Sequence, residues 1–507
     1  MAVEHLGVPA GAVGFPTAIS DDGNVVLMDL ATAPTTLRWT RDRGPEPLPA
    51  PIGSEVYVGH MSSDGRVMVG SLLGPPDFLF KLMAWRDSGP PTQIDQLGAF
   101  SATVAAISRD GQTIAAISSG GGPAHQPRAF VTTLNPGAGV VELGSLGLPG
   151  GIILPEHVSD DGQVITGISW PTPPVASRAF RWTRNGGMRA LSPMGSGPDR
   201  KVVMSVDGSV VAWLQERSPG FSDLRIMRWT SSSGVVVLGG PSGEAVEQLF
   251  MSDDGATLAG YATGGGFLWS ESGGFRRPFS DPTLRVTALS PGGEVVALRR
   301  GLPHELFGDR LFRWSAVDGL EELGRLSAGL FSSHYVMGIS RDEETLYGLS
   351  THPSDRFPVV WRRDQTVGFD TCGPARPTST GAPGTLQILG SNVITLQSMS
   401  LHASDLPPAT TGFFLASNAS IGPMPITSSM GLLCLGGAIG RYAGPGQIQN
   451  SGANGEFELA IDPTAITTPT GSVQPTIGES WTFQAWFRDA NPQPTSNFTN
   501  AVTVRLY

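Results

Sequence analysis

The chain has little of what a catalyst or a nucleic-acid binder would need. Positive charge is scarce: 33 Lys and Arg stand against 44 Asp and Glu, lysine occurs only at Lys81 and Lys201, and the net charge is −11. A nucleic-acid binder needs a basic surface to displace counterions from phosphates, so that class is excluded. No apolar run approaches the ~18 residues of a membrane span. The opening Met1-Ala2-Val3-Glu4-His5-Leu6-Gly7 has neither the basic nor the apolar segment of a secretory signal. Either the signal is missing from this sequence or export takes another route. Gly-x-Ser-x-Gly, His-Glu-x-x-His, a phosphate-binding loop and a dinucleotide fingerprint are all absent.

What is abundant is turn chemistry. With 67 Gly and 42 Pro beside 40% apolar residues, the chain suits many short strands around a buried core. One segment recurs. Ala18-Ile19-Ser20-Asp21-Asp22-Gly23 returns around Ser62-Ser63-Asp64-Gly65, Ser108-Arg109-Asp110-Gly111, Ser159-Asp160-Asp161-Gly162, Ser205-Val206-Asp207-Gly208 and Ser252-Asp253-Asp254-Gly255. Two degenerate copies follow, Ser290-Pro291-Gly292-Gly293 and Ser340-Arg341-Asp342-Glu343, which makes eight copies 38 to 51 residues apart. After each copy comes an apolar-x-Trp strand ending at Trp39, Trp85, Trp182, Trp229, Trp269, Trp314 or Trp361, with Ala129-Phe130-Val131-Thr132 in the third repeat. A short strand ending in Leu-Gly closes the unit, as at Leu97-Gly98, Leu143-Gly144, Leu238-Gly239 and Leu323-Gly324.

Asp-Gly between alternating apolar runs is a strong hairpin signal, because Gly accepts positive φ and Asp bonds its own turn. Each repeat therefore reads as four strands in roughly 45 residues, the size of a propeller blade. Val3-Glu4-His5-Leu6-Gly7 looks like a fourth strand, whereas the eighth repeat has only a weak one near Thr366-Val367-Gly368. The first strand is thus expected to complete the last blade and close the ring. Closure makes eight blades the expectation, with seven the alternative and an open solenoid the competing geometry.

The motif Ala-Ile-Ser-x-Asp-Gly, Val-Val-x-Gly, Ala-Phe-Arg-Trp-Thr and Leu-Gly-x-Leu-Gly, best matched over residues 157–191, resembles the HAF-type extracellular repeats of bacterial secreted proteins. The resemblance covers residues 1–368. It implies an extracellular or cell-surface setting and brings no catalytic residues.

Composition changes after Asp370, where Ser, Thr, Pro and Gly rise and the repeat stops. Strands are expected at Leu386–Leu389, Phe413–Leu415, Phe457–Ile461, Trp481–Asp489 and Ala501–Leu506, enough for a sandwich or jelly roll over 370–507. Cys372 and Cys434, the only cysteines, both fall here. Without a histidine at ligand spacing they make a poor metal site. In an oxidising compartment they would close a loop worth on the order of 4 kcal/mol in the chain-entropy model; the alternative is two buried thiols. Leu433–Arg441, Phe483–Asp489 and Thr495–Asn500 resemble a C-terminal module of secreted planctomycete-like and myxobacterial-like proteins. That resemblance implies export and surface attachment or sorting.

The candidate site residues are few. Ser20, Asp22, Gly23, Ser159, Asp161 and Gly162 are read as structural turn residues, resembling the Asp-box of sialidases without its following Thr-Trp. No cofactor is expected. Structural calcium at these turns is the one open option, and one or two carboxylates fall short of the roughly 6–8 oxygens it prefers. His60 and His157 share a repeat position just before the motif, so they would face a ligand or metal if that strand lines the channel; packing or hydrogen bonding is the favoured role. His125, His304, His334, His352 and His402 show no ligand spacing. The repeating Trp set reads as packing, whereas Trp170 and Trp213 break the repeat and are the candidates for exposed contact.

The expected molecule is an all-β exported protein: an eight-bladed propeller over 1–369 and a sandwich module over 370–507. Its expected role is non-enzymatic binding or scaffolding, with a cell-surface glycan or protein as partner. One alternative is a glycan-active hydrolase or lyase using Tyr57, Tyr261, Tyr335 or Tyr347 at the channel mouth. Another is a surface or filament component. An enzyme should show converging carboxylates in a deep polar pocket, or a Tyr beside a carboxylate and several Arg; a binding protein should show a shallow or plugged channel.

Overall fold

The computed structural model describes the chain apart from residues 9–11, 32–34, 95–100, 120–126, 136, 138, 148–150, 173–174, 194–196, 218–222, 301–309, 325–332, 353–354 and 491–492. The Leu97-Gly98 strand end, His125 and His304 lie outside the described residues.

Each recurring motif folds the same hairpin. In the first copy the Ser20 hydroxyl donates to Asp22 Oδ1 at 2.6 Å, the amide of Asn24 donates to the same oxygen, and the amide of Val25 donates to Ser20 Oγ. The fourth copy repeats this with Ser159, Asp161, Gln163 and Val164. Serine and aspartate thus satisfy the turn's own backbone, and Gly23 (φ +66°) and Gly162 (φ +67°) supply the left-handed step. Around these turns the described residues of the repeats build eight four-stranded antiparallel sheets. In the first, strands Gly14–Ile19, Val25–Leu30, Thr35–Thr40 and Gly44–Pro47 pair in chain order.

The sheets lock together through the same motif. The second motif residue donates its amide to the carbonyl of its counterpart in the next sheet: Asp21 to Ser63, Ser63 to Arg109, Asp160 to Val206, Val206 to Asp253, and Asp253 to Pro291. Arg341 donates to Asp21 O, joining the eighth sheet to the first. The third strands add a second tie. Arg181 donates to Gly208 O and stacks over Trp229, 5.0 Å away in the following sheet. Arg362 does the same with Gly23 O and Trp39 across the seam. Trp39, Trp85, Trp182, Trp269 and Trp361 are buried, and Trp229 and Trp314 are half-buried, so the indoles wedge neighbouring sheets apart and together. Strand Ala2–His5 pairs with Asp355–Arg362 as the fourth strand of the last sheet, in the register Val3 to Trp361. The arrangement is a propeller.

One degenerate motif is completed by the other. Ser290 lacks an aspartate two residues on, because Gly292 stands there, and its hydroxyl donates instead to Glu343 Oε1 at 2.5 Å. Glu343 occupies the glycine position of the following motif at φ +63°. A Cβ on Gly292 would meet that carboxylate, which therefore sits where the missing aspartate would be.

The remaining chain is built on two facing sheets around a main core, with two small two-stranded ribbons beside them. Thr366–Val367, Thr385–Gly390, Met399–Ser404 and Phe457–Ile461 make one; Phe369–Cys372, Pro494–Arg505, Ser480–Ala490, Thr411–Ser417 and Gly440–Arg441 make the other. Leu386, Ile388, Leu401, Phe414, Phe483 and Val504 meet between them. Thr366–Val367, expected as the weak fourth strand of the eighth repeat, pairs instead with Thr385–Gly390 in this module. The place was already filled by Ala2–His5. Cys372 and Cys434 are joined, with Cα atoms 6.1 Å apart.

The module clamps the closing strand. Asn392 accepts from the His5 amide at 2.9 Å and donates to His5 O, while Ser391 Oγ donates to Val3 O. The unpaired edge of the seam strand is thereby satisfied by side chains. His5 stacks on Tyr507 with ring centroids 4.5 Å apart, and its Nδ1 accepts from the Gly7 amide. Burial pushes the imidazole down to about 4.

Two expectations follow from these contacts. Glu343→Ala, which keeps the left-handed residue but removes the acceptor, should cost about 1–2 kcal/mol in urea unfolding. Gly292→Asp with Glu343→Gly restores the regular motif and should regain that loss; a double variant no more stable than Glu343→Ala would refute the swap. The second concerns acid. The folded pKa of His5 lies below its unfolded value near 6.5, so its contribution is intact above that pH and is lost as pH falls toward about 4, roughly 3 kcal/mol in all. Burial raises the adjacent Glu4, an effect of opposite sign that His5→Gln leaves in place. Comparing unfolding midpoints of His5→Gln and the parent between those pH values should show a flatter slope for the variant.

Candidate functional site

The second motif position, which varies from copy to copy, faces the middle of the ring. Five of its residues carry charge, and four of them meet there although they come from different sheets. Arg109 pairs with Asp21 and lies 3.4 Å from Asp253. Arg341 pairs with Asp253 and lies 3.5 Å from Asp21. Two guanidinium groups and two carboxylates thus form a closed cross over the channel on the motif face. Asp160 stands beside it, held above the ordinary carboxylate range by burial and by the Asp21 carboxylate, against the pull of Arg109.

Behind the cross the channel widens into a cavity of about 420 Å³. Its wall includes Ile19, Met61, Ile107, Met251, Leu289 and Ile339, each the apolar residue immediately before a motif serine. His60 and Tyr347 share this cavity. Burial lowers the His60 imidazole, keeping it neutral, and pushes the Tyr347 phenol up to about 12. His157, at the same repeat position as His60, does not reach a ligand: its Nε2 meets Val202 O of the next sheet at 3.0 Å, and burial lowers its pKa. The two histidines are therefore not brought together.

The other named residues separate. Trp170 is 49% exposed at the end of its strand, opposite Ile152, which is also exposed. Trp213 is not an exposed contact residue, as its break from the repeat had suggested. It is fully buried and its Nε1 donates to Asp199 at 3.0 Å. Asp199, itself buried, also accepts from the Ala179 amide, Ser192 Oγ and Gln215 Nε2. An indole on the second strand thus serves a buried carboxylate that pins the fourth and fifth sheets. Tyr57 donates to Glu55 at 2.7 Å, a bond that raises its pKa, while Tyr261 and Tyr335 lie under Arg285 and Arg299. The Tyr57 phenol, whose proton is engaged by Glu55, is a poor nucleophile at neutral pH. Asp22 and its equivalents spend their oxygens on the turn, and among the described residues no three His, Cys, Asp or Glu side chains converge on a metal position. His402 lies 3.6 Å from Glu456 in the module.

A second recess of about 980 Å³ lies between the first two blades and the module. Arg38, Arg41, Arg43 and Arg66 line it with Asp42, Asp87, Asp364 and Asp370. Arg41 contacts Asp364 and Thr366, and Arg66 pairs with Asp87, so its charges too are largely matched.

No family model and no curated protein sequence matches the chain. Among solved structures it is similar to dipeptidyl peptidase 4 of Porphyromonas gingivalis, with 9% identity, TM-score 0.50, and 80% of this chain over 66% of that one. It is also similar to a prolyl endopeptidase, with 11% identity, TM-score 0.46, and 78% of this chain over 55% of that one. A TolB of Agrobacterium tumefaciens matches over 45% of this chain and 80% of its own, with 16% identity and TM-score 0.33. The likeness is one of propeller fold. Among the described residues, no helix is long and apolar enough to cross a membrane.

The cross has a direct signature. Arg109→Ala leaves Asp21 and Asp253 facing each other with one cation, and should lower stability by about 1 kcal/mol at low salt. Urea midpoints for parent and variant should converge as sodium chloride screens the pairs. A loss that does not change with salt would show that Arg109 acts through packing alone.

Proposed function

We propose that this chain is an exported, non-catalytic propeller that acts as a rigid binding or scaffold surface, with a cell-surface glycan or protein as its partner. The observation that carries the reading is the ionic cross. Asp21 and Asp253 do converge at the channel, but Arg109 and Arg341 occupy both, leaving neither carboxylate available as acid, base or nucleophile. The phenol nearest the channel holds its proton up to about pH 12. Export is supported by the Cys372–Cys434 bridge, since disulfides persist in oxidising compartments, and by the resemblance of residues 1–368 to HAF-type repeats. On this reading specificity belongs to the loops at the ends of the blades, where the half-exposed Trp170 offers a flat contact for a sugar ring or an apolar side chain.

The test is a glycan array probed with the purified full chain, with sugar release followed on every class retained. Retention without release is expected, and Trp170→Ala should weaken it about tenfold, the scale of one lost stacking contact. Release of sugar from any retained glycan would overturn the proposal.

A further inference from the structure

Every blade ends in an outer strand whose far side has no partner within its sheet, a standing invitation to pair with another chain. Most of these edges are guarded. Gly44–Pro47 carries Pro45, Glu46 and Pro47, Gly187–Ala190 carries Arg189, and Gly319–Glu322 carries Glu321 and Glu322. Thr92–Gln93 and Val141–Glu142 are only two residues long. Gly274–Arg276 ends on a charge, and Ala2–His5 is covered by Ser391 and Asn392 of the module.

The fifth blade is different. Its outer strand, Gly234–Gly239, has six residues, Gly-Val-Val-Val-Leu-Gly, with no charge and no proline. Val235, Val236 and Val237 are 40%, 40% and 52% exposed. Three consecutive exposed valines on an edge strand combine high β propensity with free backbone donors and acceptors. The flanks are small and uncharged, Ser231-Ser232-Ser233 before and Gly240-Pro241 after.

We propose that this edge is a self-association site, pairing antiparallel with the same strand of a second copy. The occupant follows from the sequence of the strand. A two-fold axis normal to the sheet must pair residues that share a face. Centred on Val236, it sets Val236 against its own copy and Val235 against Val237. Like meets like with no charge opposed, although the two chains each carry a net −11. A bulge between Val237 and Gly239 ends the flat stretch, so the paired run is short. An interface of this size falls below the standard class, so the dimer should be weak and reversible, with a dissociation constant of about 10 µM to 1 mM. One edge per chain closes the assembly at two.

Sedimentation equilibrium of the full chain over about 1 µM to 1 mM should show the mass rising toward a dimer. Val236→Lys and Val236→Glu should each remain monomeric at all loadings while keeping the parent melting temperature within a few degrees, since the side chain is half exposed. An equimolar mixture of the two should dimerise again, because the axis places the opposite charges face to face. A mass independent of concentration, dimers that persist in Val236→Lys, no recovery in the mixture, or growth beyond two copies would each overturn the proposal.

Discussion

The ring depends on one backbone contact repeated around it. At six of the eight motifs the amide of the residue after the serine is given to the carbonyl of its counterpart in the next sheet, and the bond from Arg341 to Asp21 joins the last sheet to the first. That contact requires every hairpin to present the same carbonyl at the same height. The serine–aspartate pair provides this by holding each turn in one conformation whatever stands between them. Pro291, which has no amide to give, can accept from Asp253 and pass nothing on. At that step the Glu343-to-Ser290 bond supplies a side-chain link between the seventh and eighth sheets.

The same constraint explains why variation at the second position has a chemical result. Conserving the backbone bond leaves the side chain there unconstrained, and the ring directs it inward. Asp21, Arg109, Asp253 and Arg341 are thus assembled at the axis by a contact that does not involve their side chains at all.

Much of the architecture was legible from the residues. The Asp-Gly corners, the Trp strands and the detached first strand were all local or periodic signals, and they predict the sheets that form. In the module, the alternation of Trp481–Asp489 and the short run at Phe413–Leu415 both lie inside observed strands, Ser480–Ala490 and Thr411–Ser417. Met399–Ser404 was missed, because its two serines and a histidine dilute the apolar pattern; its buried face is Met399, Leu401 and Ala403. The channel site was not legible. Its four charged residues lie far apart in the chain, the pairs Asp21–Arg109 and Asp253–Arg341 each 88 positions apart, and each looks like an ordinary exposed turn residue until the ring is closed. Trp213 misled for a related reason. Its irregular place in the repeat suggested exposure, but the irregularity reflects Asp199, the buried acceptor of its indole. The signal pointing to it is an aspartate fourteen residues upstream on the partnering strand.

The seam has a consequence in time. Seven of the sheets are made from contiguous stretches and can assemble as the polypeptide is produced, but the last needs Ala2–His5 to wait for Asp355–Arg362. Contacts so distant in the chain are slow to form, because the entropy of a very long loop must be overcome first. Until that moment the array has two open flanks, and the strand that will seal it has no sheet to join. Asn392 and Tyr507, which grip that strand, are synthesised later still. Maturation of this molecule is therefore the fastening of a belt whose buckle arrives last.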